Sequence, residues 1–317
     1  MSAEILVIAL GGNAIKQAHE EGTTEEQFAN VDKTASQAAR IAKAGYRVVL
    51  THGNGPQAGA LLIQQEEAKA LVPPQTLAAC GAMTQGWIGW MLQNRLAYHL
   101  EQEGLATPVG TVVTQVEVRT DDPDFQNPSK PVGPFYTKEE ALGLAQKKGY
   151  CVKEVKPGKP KGWRRVVASP EPVDIVEHEV VKTLLAAGTL VIASGGGGIP
   201  VARNGDGSYA GVDAVIDKDR AGFKLAESVG ADRFLILTDV ERACLHYGTP
   251  KQKPLDRLTV QEAERYLAEG HFLAGSMGPK IQAAIRFVRW SGNEAIISSL
   301  DRAMDALAGK TGTHLLP

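Results

Sequence analysis

Lysines set among glycines, prolines and aspartates are the residues of this 317-residue sequence best placed to do chemistry. Lys280 closes Gly275-Ser276-Met277-Gly278-Pro279-Lys280, Lys218 stands in Val215-Ile216-Asp217-Lys218-Asp219, and Lys130 precedes Pro131-Val132-Gly133-Pro134. Small neighbours present an ammonium head group instead of trailing it along a helix face. A cation at a helix start also opposes the helix dipole unless an anion lies nearby. For Lys280 this favours anion binding over an ordinary first-turn surface lysine. For Lys218 and Lys130, spacing alone leaves both readings open, since Asp217 or Asp219 could simply cap a helix beside a solvated lysine. Such cations suit phosphoryl transfer, which needs in-line positioning and cations that offset the negative charge on the equatorial oxygens.

Three glycine-rich turns point the same way: Leu10-Gly11-Gly12-Asn13, Thr51-His52-Gly53-Asn54-Gly55, and Ser194 through Gly198. Glycine lets backbone N–H groups approach a ligand closely, and such groups favour phosphate. One turn of this kind could be turn geometry alone; three in one chain indicate an anion site. Two familiar phosphate motifs fail. Gly53-x-Gly55-x-x-Ala58 fits a relaxed dinucleotide fingerprint, but no acid lies between Leu71 and Ala79 to bind a ribose. Gly309-Lys310-Thr311 imitates the end of a P-loop, yet Met304 stands where its leading glycine belongs.

Other chemistries find less support. The seven histidines show no H-x-x-x-H or H-E-x-x-H spacing, so the sequence offers no zinc site. There is no G-x-S-x-G elbow. His52 could be catalytic or a hydrogen-bonded structural residue. A Mg²⁺ carried in on nucleotide phosphates would need few protein ligands. Cys80, Cys151 and Cys244 form no C-x-x-C pair, which argues against a disulfide scaffold. With 34 basic and 36 acidic side chains the formal charge is -2, giving no global field for nucleic acid or anionic lipid. No apolar stretch is of membrane-spanning length, and an acid stands where a signal peptide would carry positive charge. A reduced, cytoplasmic protein is expected.

The elements that must position these residues alternate. Strand-like apolar runs occur at Ile5–Leu10, Arg47–Thr51, Thr189–Ala193, Phe234–Thr238 and Glu294–Ser299, with further β-rich sequence from Pro108 to Val118. Helical spacing runs over residues 25–44, 57–71, 75–103, 176–187, 217–229, 259–269, 279–291 and 302–308. Continuous apolar strands separated by helices predict an α/β fold with a mostly parallel sheet covered on both faces. Residues 119–172, rich in proline and basic clusters, interrupt the rhythm. Composition alone would allow disorder, but Phe135-Tyr136, Tyr150-Cys151-Val152 and Val166-Val167 are apolar anchors at strand-like spacing. A small inserted, folded subdomain is predicted.

Taken in order, Leu10-Gly11-Gly12-Asn13-Ala14, His52 to Gln57, Lys130-Pro131-Val132-Gly133-Pro134-Phe135-Tyr136, Arg164-Arg165-Val166-Val167-Ala168-Ser169-Pro170, Gly195 to Pro200, Ala214 to Asp219 and Gly275 to Lys280 resemble the carbamate kinase family. Glycine motifs of this kind recur across the wider amino-acid kinase superfamily, whereas the Lys130 and Arg164 blocks are specific to carbamate kinases. The resemblance implies a three-layer α/β/α sandwich as a single domain over residues 1–317. It also implies a protruding lid over 119–172, and usually a homodimer. The implied reaction is ATP + carbamate ⇌ ADP + carbamoyl phosphate with Mg²⁺ carried by the nucleotide, commonly run toward ATP in arginine fermentation. By the same resemblance Gly11, Gly12 and Asn13 would hold the transferring phosphoryl group, with Gly196 and Gly197 in the same phosphate and carbamate region. Gly53 and Asn54 would bind carbamate, and Lys130 would reach it from the lid. Lys218 and Lys280 would stabilise the transition state, with Asp219 orienting them. The nucleotide would lie near Thr238, Asp239, Val240, Tyr247, Ser276, Met277 and Pro279. Two rivals are an amino-acid kinase with a larger acceptor, against which the subdomain blocks argue, and a catalytically silent nucleotide-binding regulator, which should have lost Lys218 or Lys280.

Overall fold

The computed structural model describes residues 3–17, 19–273 and 275–317; the side chain of Asn13, one of the expected phosphate ligands, lies outside the described residues. Strand β1 (Ile5–Leu10) leads to α1 (Thr24–Lys43), β2 (Arg47–His52), α2 (Gly55–Ala68) and α3 (Leu77–Gln102). Then come β3 (Val109–Thr111), β4 (Gln115–Val118), β5 (Lys130–Tyr136), α4 (Lys138–Lys148), β6 (Val152–Glu154), β7 (Trp163–Val167) and β8 (Pro172–Ile175). Next are α5 (His178–Ala186), β9 (Leu190–Ile192), β10 (Ile199–Arg203), β11 (Tyr209–Gly211), α6 (Lys218–Val229) and β12 (Arg233–Thr238). The chain finishes with β13 (Cys244–Leu245), β14 (Lys253–Pro254), β15 (Arg257–Thr259), α7 (Val260–Ala268), α8 (Met277–Ser291), β16 (Ala295–Ser299), α9 (Ala303–Leu307) and β17 (Thr313–Leu316).

An eight-stranded sheet in the order β15-β17-β16-β12-β1-β2-β9-β3 forms the middle layer. Its pairings are parallel except β16 with β17. Side chains alternate along each strand, so both faces must be covered. Val7, Val49, Phe234 and Ile236 join a core under α5 to α8, while Leu6, Ile8, Leu50 and Leu235 join a second core under α1 and α3. The structure is therefore the expected three-layer α/β/α sandwich. No helix among the described residues is long and apolar enough to cross a membrane.

Residues 119–172 leave after β4 and return at β8, strands that pair antiparallel in a second, four-stranded sheet ordered β11-β10-β4-β8. Between them lies a separate three-stranded sheet, ordered β5-β7-β6. Of the strand-like anchors, Phe135, Tyr136, Val152, Val166 and Val167 lie on its strands, and Tyr150 and Cys151 just before β6. Helix α4 between them is not announced by apolar spacing; its signals are the Thr137 and Glu140 capping box and Gly149 in the left-handed region at φ 67°.

Candidate active site

The order β12-β1-β2-β9 sets the three glycine turns side by side at the carboxyl edge of the sheet, where ligands of parallel sheets bind. The Gly11 N–H donates to the Leu237 carbonyl (3.0 Å) and the Gly53 N–H to the Leu10 carbonyl (3.2 Å). A Cβ on Gly53 would lie 3.3 Å from the Lys218 side chain and 3.5 Å from the Gly12 backbone, so these turns and Lys218 share one corner. Only the second turn opens directly into an α-helix, α2; the first passes into a short 3-10 turn and the third into β10.

The end of β2 braces the third turn. Thr51 Oγ1 donates to the Ser194 carbonyl (2.9 Å), the His52 ring packs on Gly195, and the Asn54 amide packs on Gly196 and donates to Thr84 Oγ1 (2.8 Å). Gly196 sits at φ 68° and Gly197 at φ 92°; a Cβ on the first would collide with Asn54 and on the second with the Ile216 carbonyl. Gln85 of α3 pairs twice with the backbone of Thr114, whose hydroxyl accepts the Ser194 N–H (2.9 Å). His52 is the structural residue of the two readings: burial pushes its pKa down to about 4, and the neutral ring lies 3.0 Å, by Nδ1, from the Gly53 carbonyl.

Two helix starts bring the lysines together. Asp217 caps α6, accepting the N–H groups of Asp219 (3.0 Å) and Arg220 (3.4 Å) through Oδ1. Asp219 is buried and divides its carboxylate: Oδ1 takes Lys218 Nζ (2.6 Å) and Oδ2 takes Lys280 Nζ (3.1 Å) from α8. Burial and the neighbouring Lys218 lower the Lys280 pKa, against the pull of Asp219. Lys130 arrives from β5, its Nζ 3.0 Å from Asp217 Oδ2. Burial alone would raise the Asp217 pKa, but the Lys130 ammonium, the Asp219 N–H and Lys218 bring it to about 2.

The spaces between these groups differ in size. A cavity of about 100 Å³ is lined by Asn54, Gly196 and Lys130, with Leu77, Val132, Arg164 and neighbours. A cleft of about 860 Å³ lies on the other side of Lys130, against Asp217, Arg220, Gly275 and Pro279. Ser276 and Met277 begin α8, where the Ser276 carbonyl accepts Lys280 Nζ (3.4 Å), and Thr238 ends β12 beside Gly11, followed by Asp239. Val240 and Tyr247 instead line a cavity of about 430 Å³ with Arg242, Cys244 and Gln252, sharing no lining residue with the cleft at Lys130.

Sequence reasoning missed three supports. Asp217 is the core partner of Lys130; Arg164, held by the Gly133 carbonyl (2.7 and 3.1 Å), walls the small cavity; Thr84 and Gln85 seat the glycine turns from α3. Arg164 had a signal as the head of the Arg164-to-Pro170 block, and Asp217 as a cap candidate within the Ala214-to-Asp219 block; Thr84 and Gln85 had none.

A parallel sheet with glycine turns at its carboxyl edge and two lysines sharing one buried aspartate defines a phosphate-handling enzyme of kinase type. The chain belongs to the amino acid kinase family, whose sequence profile matches residues 4–299. It is 54% identical to the carbamate kinase of Pyrococcus furiosus, with 98% of this chain and 99% of that one covered. It is 46% identical to that of Clostridium perfringens over 98% and 99%. The carbamate kinase of Giardia lamblia bound to AMP-PNP superposes with a TM-score of 0.93 at 45% identity, covering 99% of this chain and 98% of that one. Within the family the chain groups with the carbamate kinases, as a phosphotransferase acting on carbamate.

Proposed function

We propose that this enzyme catalyses reversible, Mg²⁺-dependent transfer of a phosphoryl group between ATP and carbamate, carbamoyl phosphate and ADP being the other pair. The observation that carries the reading is the cavity of about 100 Å³ bounded by Asn54, Gly196 and Lys130. It has room for an acceptor as small as carbamate; a cavity of about 550 Å³ shares Leu62, Leu77, Val132 and Gly133 with it, so the preference over acetylglutamate or a nucleoside monophosphate rests also on the 54% identity to a carbamate kinase. Gly11, Gly12, Asn13 and Gly197 hold the phosphoryl group at the turns. Gly53 and Asn54 bind carbamate with Lys130. Lys218 and Lys280 offset charge on the equatorial oxygens from two sides, kept in place by Asp219. The nucleotide runs from Ser276, Met277 and Pro279 toward Thr238, Asp239, Val240 and Tyr247; that the Giardia lamblia relative is bound to AMP-PNP supports a nucleotide substrate.

Asp217 and Asp219 are both engaged by ammonium groups. On this reading the metal enters on the nucleotide phosphates, as part of the substrate. Residues 119–172 act as a lid that brings in Lys130 and excludes water. A homodimer is supported by the exposed side chains of Met83, Trp90 and Tyr98 along α3; sedimentation at micromolar concentration should give twice the chain mass. The deciding assay supplies ADP, Mg²⁺ and carbamoyl phosphate. ATP should form, and EDTA should stop it. Robust activity with acetylglutamate or a nucleoside monophosphate, and none with carbamoyl phosphate, refutes the assignment.

A further inference from the structure

Asp219 is not the only carboxylate that spans α6 and α8. Glu171 accepts Arg286 of α8 in a two-pronged pair (2.6 and 3.2 Å) and lies 3.3 Å from Arg220 of α6. Arg220 directly follows Asp219, and Arg286 lies less than two turns beyond Lys280. Glu171 itself belongs to neither helix. It sits in the segment returning from the insertion, immediately before β8.

The outgoing side of the same neck is tied in too. The Glu171 N–H donates to Asp122 (3.0 Å), the Ser169 N–H donates to Asp124, and Arg220 donates to the Ser169 carbonyl (3.1 Å). Both sides of the neck and both lysine-bearing helices thus meet around Glu171, the helices on its carboxylate and the outgoing segment on the backbone N–H groups of Glu171 and Ser169. Glu171, Arg220 and Arg286 are 31–45% exposed, where ion pairs contribute little to global stability. A forked Arg–carboxylate pair nevertheless fixes orientation, and sub-ångström placement of reacting groups is what governs rate.

We propose that Glu171 is a positioning residue for phosphoryl transfer. It holds the neck of the insertion in register with α6 and α8, so that Lys130, Lys218 and Lys280 reach their working geometry together. This rests on the carbamate kinase reading above, and the experiment separates the two. Glu171→Gln, Arg286→Gln and the double variant are compared with native protein, with Arg289→Gln as control, since Arg289, one turn further along α8, pairs with Glu264 of α7 (2.6 Å) and not with the neck. Each single variant should lower kcat roughly tenfold, leave the KM for ADP within twofold, and shift Tm by less than about 2 °C. The double variant should lose no more than either single one, because the two residues act as a unit. Amide hydrogen exchange should quicken at residues 218–222 and 277–281 but not in the central sheet. The control should match native protein throughout. Turnover within twofold of native, losses that multiply in the double variant, or exchange that is unchanged or raised across the whole sheet would each overturn the proposal. If the native protein forms no ATP from carbamoyl phosphate, the functional reading falls, while exchange at the two helix starts still decides the role of Glu171.

Discussion

Asp219 gathers two ammonium groups that would otherwise repel each other, and the cost of that arrangement falls on Lys280. Its folded pKa is depressed, chiefly by burial, so the unfolded chain holds the proton more tightly. At neutral pH the buried charge therefore opposes folding, and this opposition fades as pH rises through the folded pKa. Lys280→Met should lower kcat by ~10²–10³, the scale of losing one preorganised charge, while Tm stays level or rises. Lys218→Ala should cost a similar factor, and arginine should rescue either position poorly because a planar fork does not replace a compact ammonium. ATP-formation kinetics beside thermal melts check this, and near-native turnover in Lys280→Met would remove it from the mechanism. Asp217 shows the opposite sign. Its pKa falls from 3.8 to about 2, so its contribution to stability is present above the unfolded value and is lost as pH falls toward 2. Asp217→Asn keeps a cap oxygen but no charge for Lys130; its acid-unfolding curve should be flatter than native between those two pH values.

At the scale of elements, the proposed lid would supply what carbamate lacks. A ligand with so few atoms gives little binding energy, so positioning has to come from the protein. Lys130→Ala should raise the KM for carbamoyl phosphate several-fold and leave that for ADP nearly unchanged. Initial-rate kinetics with each substrate varied decide it, and an effect on ADP alone defeats the lid. How far such elements can be read from residues depends on burial. β1, β2, β9 and β12 are legible as continuous apolar runs because both faces are covered, and the helix spacing between them is regular. β10, β11, β13 and β14 are short or partly exposed, and leave no such run. α4 hides because it buries Ala141 alone. The candidate site divides the same way. The glycine turns and Lys280 are visible locally, whereas Lys130 and Lys218 stay ambiguous by spacing: the Lys130 partner is remote in the chain, and the Lys218 partner, Asp219, is a neighbour that reads equally well as a surface pair. Asp217 lies 87 residues from Lys130, a contact that no local pattern encodes.

In the whole molecule, the far edge of the sheet carries its own pH dependence. His314 of β17 pairs with Glu294 beside β16 (2.7 Å) and with the Thr311 carbonyl (2.8 Å). The Glu294 bond raises the His314 pKa, and the same bond lowers that of Glu294. The histidine contribution is full below its unfolded pKa of ~6.5 and is lost as pH rises through the higher folded value. The glutamate contribution is present above ~4.3 and is lost as pH falls. His314→Gln should therefore lower Tm most between these limits, with the gap to native protein closing at alkaline pH. A gap independent of pH would show that only packing was removed.

β1 sits between β2 and β12, and its two neighbours are synthesised far apart in time. Leu6 pairs with Val48 on one side and with Arg233 on the other. At ~5–20 residues per second, roughly 10–40 s of translation separate the completion of β2 from the arrival of β12. Through that interval one edge of a fully apolar strand has no mate, and the Gly11 N–H lacks the Leu237 carbonyl that later receives it. Lys130 and Lys218 are already polymerised by then but have no finished sheet to present them. A nascent chain at this stage presents an open strand edge able to pair with another chain, and how long that edge stays open is set by the order of the strands.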